Sequence, residues 1–271
     1  MSASWLNPAG GLRYHVRALF GGRPWAPFRA ALAGWLAELE PRVPRAVLVG
    51  PSAGYTFPDA FLRRFTALTV LEPDPIAGYL LLRRLRRLGV PVLRLESRDL
   101  LIAPLLDGSS GLAELLQADP EASLIFGNVL GQTRFLREEA EFERFKSAFR
   151  ERVVPLLDSR SWLSFHDRLS GTLAPSFSAP FLAPQRLDDH AVLRELYGRA
   201  PASAPQELFD HQSDGFFPAN VPHAYFSWQI DGTRHHLIEG VLHNRVLVLP
   251  DQFASTNQPL CRSRSDRAKT D

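Results

Sequence analysis

Short apolar runs and longer amphipathic segments alternate along the first 169 residues of the chain. The run "RAVLVG" (45–50) is continuously apolar and rich in valine, which is typical of a strand buried on both faces. The segment "IAGYLLLRRLRRLG" (76–89) instead repeats its leucines at helical spacing and ends at Gly89, a residue type that commonly closes helices. This alternation predicts a parallel sheet that is covered by helices on both faces.

The same patterns predict the remaining elements. The predicted strands are 45–50, 67–73, 91–97, one strand within 122–131 that ends near Gly127, and 161–169. The predicted helices are 11–21, 26–40, 58–66, 76–89, 111–117, 137–157 and 188–198. Residues 223–243 predict an antiparallel hairpin, because two apolar strands flank the turn dipeptide Asp231-Gly232. The predicted fold class is therefore α/β: a doubly wound, mostly parallel sheet with a C-terminal antiparallel hairpin.

The flanks of this alternating region have their own composition. Residues 1–44 predict an N-terminal helical cap, and 45–250 predict one domain. Within that domain, 170–218 is rich in Pro, Ser and Ala, and we expect it to be a variable lid that carries substrate specificity. Residues 251–271 are polar and predict a disordered tail.

Composition and charge argue against several classes of protein. The 271 residues are 45% hydrophobic and 22% charged, and the net charge of +2 gives no overall signature of a nucleic-acid-binding protein. We interpret the arginine run at 83–87 as the solvated end of a helix. Cys261 is the only cysteine, which excludes an internal disulfide and a cysteine-based metal site. Without an apolar span or a signal-peptide pattern, we expect a cytoplasmic protein with no metal and no membrane partner.

The stretch "GPSAG" (50–54) supports two different hypotheses. As G-x-S-x-G it matches the nucleophile elbow of α/β-hydrolases, with Ser52 as nucleophile and Asp167 with one of several later histidines as partners. The candidate histidines are His235, His236 and His243. The elbow hypothesis is weakened because the stretch follows the first strand, and no oxyanion-hole segment precedes it.

As a glycine-rich turn after a first strand, the same stretch is typical of a nucleotide-like cofactor site. Glycines let the backbone approach a ligand closely, and an acidic residue at the end of the second strand hydrogen-bonds the ribose. Glu72 ends the run "LTVLE" roughly 20 residues after Gly50, which is the spacing that this arrangement requires.

At these motifs the chain resembles the class I S-adenosylmethionine-dependent methyltransferases. The matching stretches are "VLVGPSAG" (47–54), "LTVLEPDP" (68–75), "RLESRDL" (94–100) and "LIFGNVLGQ" (124–132). The closing hairpin is similar to the family's strands six and seven, so the resemblance implies a seven-stranded sheet and S-adenosylmethionine as cofactor. Two positions depart from the family's pattern: Leu48 replaces an acidic residue, and Ser52 replaces the middle glycine.

The resemblance also implies roles for particular residues. Gly50, Ser52 and Gly54 hold the methionine end of the cofactor, while Glu72 binds the ribose. Asp74 either shares that role or caps the following helix, and Asp99, with Ser97 beside it, faces the adenine or serves as a loop residue. The residues expected to border the acceptor are Asn128, His166 and Asp167, with Gln132 as a possible addition; Asn128 is also a cofactor candidate. A histidine at this edge accepts a proton from an N–H or O–H group.

The function predicted from the sequence is methyl transfer to an unidentified acceptor, for which a small molecule is favoured over nucleic acid. A methyltransferase-like scaffold without catalytic activity is the alternative, because Leu48 lacks a charge and no general base is evident. A serine hydrolase that uses Ser52 is the third hypothesis.

Overall fold

A computed structural model describes residues 11–136, 138–200, 207–218 and 220–245 of the chain. The strands are β1 (Arg45–Val49), β2 (Ala67–Leu71), β3 (Val92–Glu96), β4 (Ser123–Gly127), β5 (Trp162–Gly171), β6 (Phe181–Ala183), β7 (Leu208–Asp210), β8 (His223–Gln229) and β9 (His235–His243). The helices are α1 (Gly11–Phe20), α2 (Ala26–Leu36), α3 (Asp59–Leu62), α4 (Pro75–Leu88), α5 (Ile102–Leu106), α6 (Gly111–Ala118), α7 (Glu139–Arg152), α8 (Val154–Leu157) and α9 (Asp189–Ala191). A 3₁₀ segment (Leu130–Leu136) precedes α7, and a π-helical turn (Val192–Leu196) follows α9. The predicted tail 251–271 lies outside the described residues.

The fold is α/β, and its sheet contains both parallel and antiparallel strands, as the sequence predicts. Its order is β3-β2-β1-β4-β5-β9-β8-β6, and β7 pairs with β5 beside that path. The first five strands are parallel to one another, β9 is antiparallel to both β5 and β8, and β8 therefore runs parallel to the first five. The dinucleotide-binding order 3-2-1-4-5-6 lacks such an inserted antiparallel strand.

The expected count of seven strands is too low, because the sheet has nine. The two additional strands, β6 and β7, come from the segment 170–218. Each spans only three residues, which is too short for a period-two pattern to be visible in the sequence.

Both faces of the sheet are covered because the central strands are apolar on both sides. On one face, β1 and β4 pack under α2, α3 and α4; on the other, they pack under α5, α6 and α7. The N-terminal helices are tied to the hairpin, because Phe28 stacks on Trp228 and the Trp25 indole N–H donates to the carbonyl of Ile230 over 3.0 Å. No helix among the described residues combines the length and the apolar composition needed to cross a bilayer.

Strand β5 differs from its prediction in a way that matters for the site. It continues to Gly171, so His166 and Asp167 lie inside the strand and not at its end. Asp167 pairs with Ile238 of β9 and Leu169 pairs with Leu237, which leaves Arg168 as the extra residue of a β-bulge. Bulges redirect side chains, and they occur often beside active sites.

Candidate functional site

The turn after β1 has a left-handed backbone at three positions. Gly50 has φ of +62°, Ser52 of +51° and Gly54 of +73°. A Cβ atom on Gly50 would lie 2.5 Å from the Cβ of Val129, so this position excludes any side chain. Glycine adopts such a conformation freely, whereas the same conformation strains Ser52.

Glu72 follows β2 and holds this turn in place. Its Oε2 accepts a hydrogen bond from the Ser52 N–H at 2.7 Å, and Oε1 accepts one from the Asp74 N–H at 3.0 Å. The residue is only 7% exposed. Burial raises the pKa of Glu72 to about 7, against the opposing effect of the two N–H donors.

Asp74 and Asp99 both cap helices. The Asp74 Oδ1 accepts from the N–H groups of Ile76 and Ala77 at the start of α4. The Asp99 carboxylate likewise accepts from three N–H groups at the start of α5, those of residues 101–103. For Asp74 the structure shows the helix-capping alternative that the sequence left open. For Asp99 it shows a loop residue whose carboxylate binds the N–H groups at the start of α5.

Asn128 joins the end of β4 to β5. It has φ of +60°, its Oδ1 accepts from the Asp167 N–H at 2.9 Å, and its Nδ2 lies 3.3 Å from the Asp167 Oδ2. The Gln132 amide donates to the same Oδ2. The Asn128 side chain therefore fixes the orientation of the Asp167 carboxylate.

The second oxygen of Asp167 binds a histidine that lies far away in the sequence. Oδ1 lies 2.6 Å from Nδ1 of His236 at the start of β9. Burial favours the neutral acid, but the charge and hydrogen bond of His236, together with His211 and Asn128, hold the pKa of Asp167 below its ordinary value. Asp167 and His236 thus form a carboxylate–imidazole pair in which the carboxylate is fully buried and the imidazole is partly exposed.

A second histidine, His211, lies beside this pair. Its ring nitrogens are 2.7 Å from the Gly131 carbonyl oxygen and 2.9 Å from Ser170 Oγ, and its ring centre is 6.2 Å from that of His236. Burial lowers the pKa of His211. The bulge at Arg168 brings Ser170 to the same face of the sheet as Asp167, although the two positions are three residues apart.

His166 lies on the opposite face of the sheet, so it does not share a site with Asp167, contrary to the expectation from the sequence. Its Nε2 is 3.6 Å from Glu239 Oε2, and its Nδ1 is 3.0 Å from Ser164 Oγ. Glu239 also contacts His223 at 2.9 Å and Arg186 at 3.2 Å. Adjacent residues of a strand point to opposite faces, which separates His166 from Asp167.

Helix α1 covers the glycine turn. The His15 Nδ1 is 3.0 Å from the Tyr55 hydroxyl, and its Nε2 is 3.5 Å from Asp74 Oδ2. Burial raises the pKa of the Tyr14 hydroxyl, and the charges of Asp167 and Glu72 act on it in the same direction. Tyr14 therefore lies within electrostatic range of both carboxylates.

The hydrolase geometry is not formed. Strands β4 and β5 separate β1 from β9, and neighbouring strands are about 4.8 Å apart, so the end of β1 that leads to Ser52 is roughly 14 Å or more from β9, which carries His236. Two side chains do not bridge that distance with a hydrogen bond while His236 binds Asp167.

The sequence analysis did not name Tyr14 or Glu239 as site residues, and it named His236 only as a possible partner of Ser52 in the hydrolase hypothesis. Only His236 had a usable signal, because the alternation of side chains in a strand separates it from His235 and directs one of the two toward β5. Among the described residues, no group of three or more His, Cys, Asp or Glu is arranged to hold a metal ion.

No model of a protein family matches this chain, and no curated protein matches it. Several solved structures are similar to it. A SAM-dependent methyltransferase from Leishmania major has a TM-score of 0.44 and 14% identity, over 88% of this chain and 79% of that one. A SAM-dependent methyltransferase from Thiobacillus denitrificans, solved with S-adenosyl-L-homocysteine, has a TM-score of 0.33 and 15% identity, over 67% of this chain and 60% of that one.

A third similar structure is the N-methyltransferase NodS from Bradyrhizobium japonicum, with a TM-score of 0.37 and 10% identity over 86% of this chain and 98% of that one. Many of the solved structures to which this chain is similar are S-adenosylmethionine-dependent methyltransferases, and they indicate no subfamily.

Proposed function

We propose that this protein binds S-adenosylmethionine and transfers its methyl group to a small-molecule acceptor. The observation that carries the proposal is the glycine turn after β1, which lies where the strand order reverses between β1 and β4. The Glu72 carboxylate accepts a hydrogen bond from this turn. Ligands of open α/β sheets bind in the crevice outside the carboxyl ends of the strands at such a point. The antiparallel β9 between β5 and β8 supports this assignment over a dinucleotide-binding protein.

The residues of the turn fit this cofactor. Each carboxylate oxygen accepts two hydrogen bonds, and Glu72 uses one at each oxygen, so two remain for the ribose hydroxyls. Within the described part of the chain, the Ala53 N–H donates no hydrogen bond and is free to bind the carboxylate of the methionine. The ring of Tyr14 lies beside that of Tyr55, which directly follows the turn, with ring centres 6.0 Å apart.

The cofactor, when bound, supplies an electrophilic methyl group on a positively charged sulfur. The protein supplies alignment, because placing the acceptor in line with the methyl group turns a bimolecular encounter into an intramolecular step. In this proposal the turn and Glu72 fix the cofactor, and Asn128 after β4 and Asp167 within β5 border the acceptor. In this proposal, residues 170–200 and 207–218 select the acceptor.

Calorimetric titration with S-adenosylmethionine and S-adenosylhomocysteine tests the proposal. We expect binding to the wild type, and at least tenfold weaker binding to Glu72→Gln, or about 1.4 kcal/mol. The glutamine keeps the size of the side chain but turns an N–H donor toward one of the backbone N–H groups. Glu121→Gln is the matched control, because Glu121 lies at the opposite edge of the sheet, 3.0 Å from Arg42.

Absence of binding to the wild type would refute the proposal, and equal losses in both variants would remove Glu72 from the site.

A non-catalytic binding protein is the second candidate, and one observation favours it. Leu48 is fully buried in the core beneath the turn, where it offers no charge to the amino group of the cofactor. Formation of S-adenosylhomocysteine with any member of an acceptor panel would exclude this alternative. Tight binding without turnover of the whole panel favours it.

A further inference from the structure

We propose that Asp167 and His236 act together as the base that removes a proton from the acceptor, which makes the acceptor a hydroxyl or N–H compound. This inference rests on the proposed function, and it names the chemical class of the acceptor. Sequence reasoning assigned the proton-accepting role to His166, which the structure places on the other face of the sheet.

The geometry of the pair fixes which imidazole nitrogen is available. Oδ1 of Asp167 is 2.6 Å from Nδ1 of His236, so the neutral ring carries its hydrogen on Nδ1 and presents a lone pair at Nε2. Nε2 forms no hydrogen bond within the described part of the chain, and the side chain of His236 is 14% exposed. Nε2 is thus the ring nitrogen that remains for an acceptor, whereas the Asp167 carboxylate is fully buried.

The pair lies at the edge of the sheet where the proposed cofactor binds. Asn128, directly after β4, binds Asp167 at two points. The Asn128 Oδ1 accepts from the Asp167 backbone N–H, and the Asn128 Nδ2 donates to the Asp167 carboxylate. Tyr14 is close enough to both Asp167 and Glu72 for their charges to act on its hydroxyl. The indole of Trp228 packs on the imidazole of His236, with ring centres 5.9 Å apart, and so restricts the rotation of the ring.

The Asn128 and Gln132 side chains are positioning residues. Both direct an amide N–H at Oδ2 of Asp167, which leaves Oδ1 for His236. Gly131, between the two, packs so closely on β5 that a Cβ atom there would lie 2.5 Å from the carbonyl oxygen of Asp167. The carboxylate is thus held in one orientation from two sides.

The step conserves atoms and electrons. The proton of the acceptor O–H or N–H passes to Nε2 of His236, and the electron pair left on the acceptor atom forms the new bond to the methyl carbon while the carbon–sulfur bond breaks and its pair stays on sulfur. The charged Asp167 stabilises the imidazolium that results, and the imidazolium then releases its proton to water.

Long-range ¹H–¹⁵N correlation NMR of protein labelled at histidine tests the proposal without an acceptor. Spectra are recorded at pH 9, well above the ordinary pKa of imidazole, with the His236 signals identified by their loss in His236→Gln. We expect the hydrogen on Nδ1 of His236. In Asp167→Asn, the carbonyl oxygen stays with the two amide donors, so the new NH₂ group faces Nδ1 and shifts the hydrogen to Nε2. Asp158→Asn, at the opposite edge of the sheet, leaves the tautomer unchanged.

Addition of S-adenosylhomocysteine then locates the pair relative to the cofactor. We expect the ring signals of His236 to shift and those of the exposed His243 to stay. A hydrogen on Nε2 in the wild type, or cofactor binding that leaves the His236 signals unchanged, overturns the proposal while the proposed function stands. If calorimetry shows no cofactor binding, both fall. Should Asp167→Asn fail to fold, the wild-type tautomer and the cofactor-induced shift decide the question.

Discussion

At the scale of single residues, the pKa values of two buried carboxylates at one sheet edge are shifted in opposite directions. Burial dominates at Glu72 and raises its pKa to about 7. At Asp167, burial also raises the pKa, but His236, His211 and Asn128 together outweigh burial and lower the pKa. Acids whose surroundings shift their pKa values in opposite directions often belong to functional sites. The sequence indicated both acids from their places at strand ends, but their proton affinities depend on contacts with residues 20 to 69 positions away.

The raised pKa of Glu72 predicts a specific pH dependence of stability. Because the folded protein binds this proton more tightly than the unfolded chain, the contribution of Glu72 is complete below pH 4.5 and is lost as the pH rises through about 7. We expect the unfolding free energy of the wild type, relative to Glu72→Gln, to fall by about 3 kcal/mol between pH 4.5 and pH 8.

Urea unfolding of both proteins across this pH range measures the difference directly. Titration of other groups affects both proteins alike and cancels. A difference that does not change with pH would show that Glu72 ionises in the fold as it does in the unfolded chain.

At the scale of elements, the turn after β1 and the bulge in β5 shape the site. The turn was visible in the sequence because glycines stand where a left-handed backbone is required. The bulge was not visible, since Arg168 is marked by no local pattern and the register depends on pairing with β9. For the same reason, Asp167 and Ser170 could not be assigned to one face from the sequence. Helix α4, by contrast, was predicted to within one residue at each end, because Pro75 and Gly89 bound it.

Two glycine-to-alanine substitutions test the role of the turn. Gly50→Ala should lower the unfolding free energy by about 2 kcal/mol or more, because the alanine has a strained φ and its Cβ meets the side chain of Val129. Gly34→Ala, in the exposed part of α2 with open space around it, should raise the unfolding free energy by about 0.5–1 kcal/mol.

Chemical denaturation of the two variants beside the wild type is the measurement. Equal effects at the two positions would contradict the close packing of the turn against Val129.

At the scale of the whole molecule, the site is assembled from parts that are distant in the chain. The sheet brings the turn, Glu72, Asn128 and Asp167 to one edge, because parallel strands end at the same side. That part of the site followed from the alternation of strands and helices. Tyr14 was not predicted, and the pairing of His236 with Asp167 at the proposed cofactor site was not predicted either. Both depend on long-range packing, through the docking of α1 and the insertion of β9.

The crystal structure of the protein grown with saturating S-adenosylhomocysteine tests the central claim most directly. We predict the ribose hydroxyls on the Glu72 carboxylate, the amino-acid end over residues 50–54, and the sulfur toward Asn128 and His236. A structure in which the ligand is absent from the turn, or lies elsewhere on the molecule, would contradict the account.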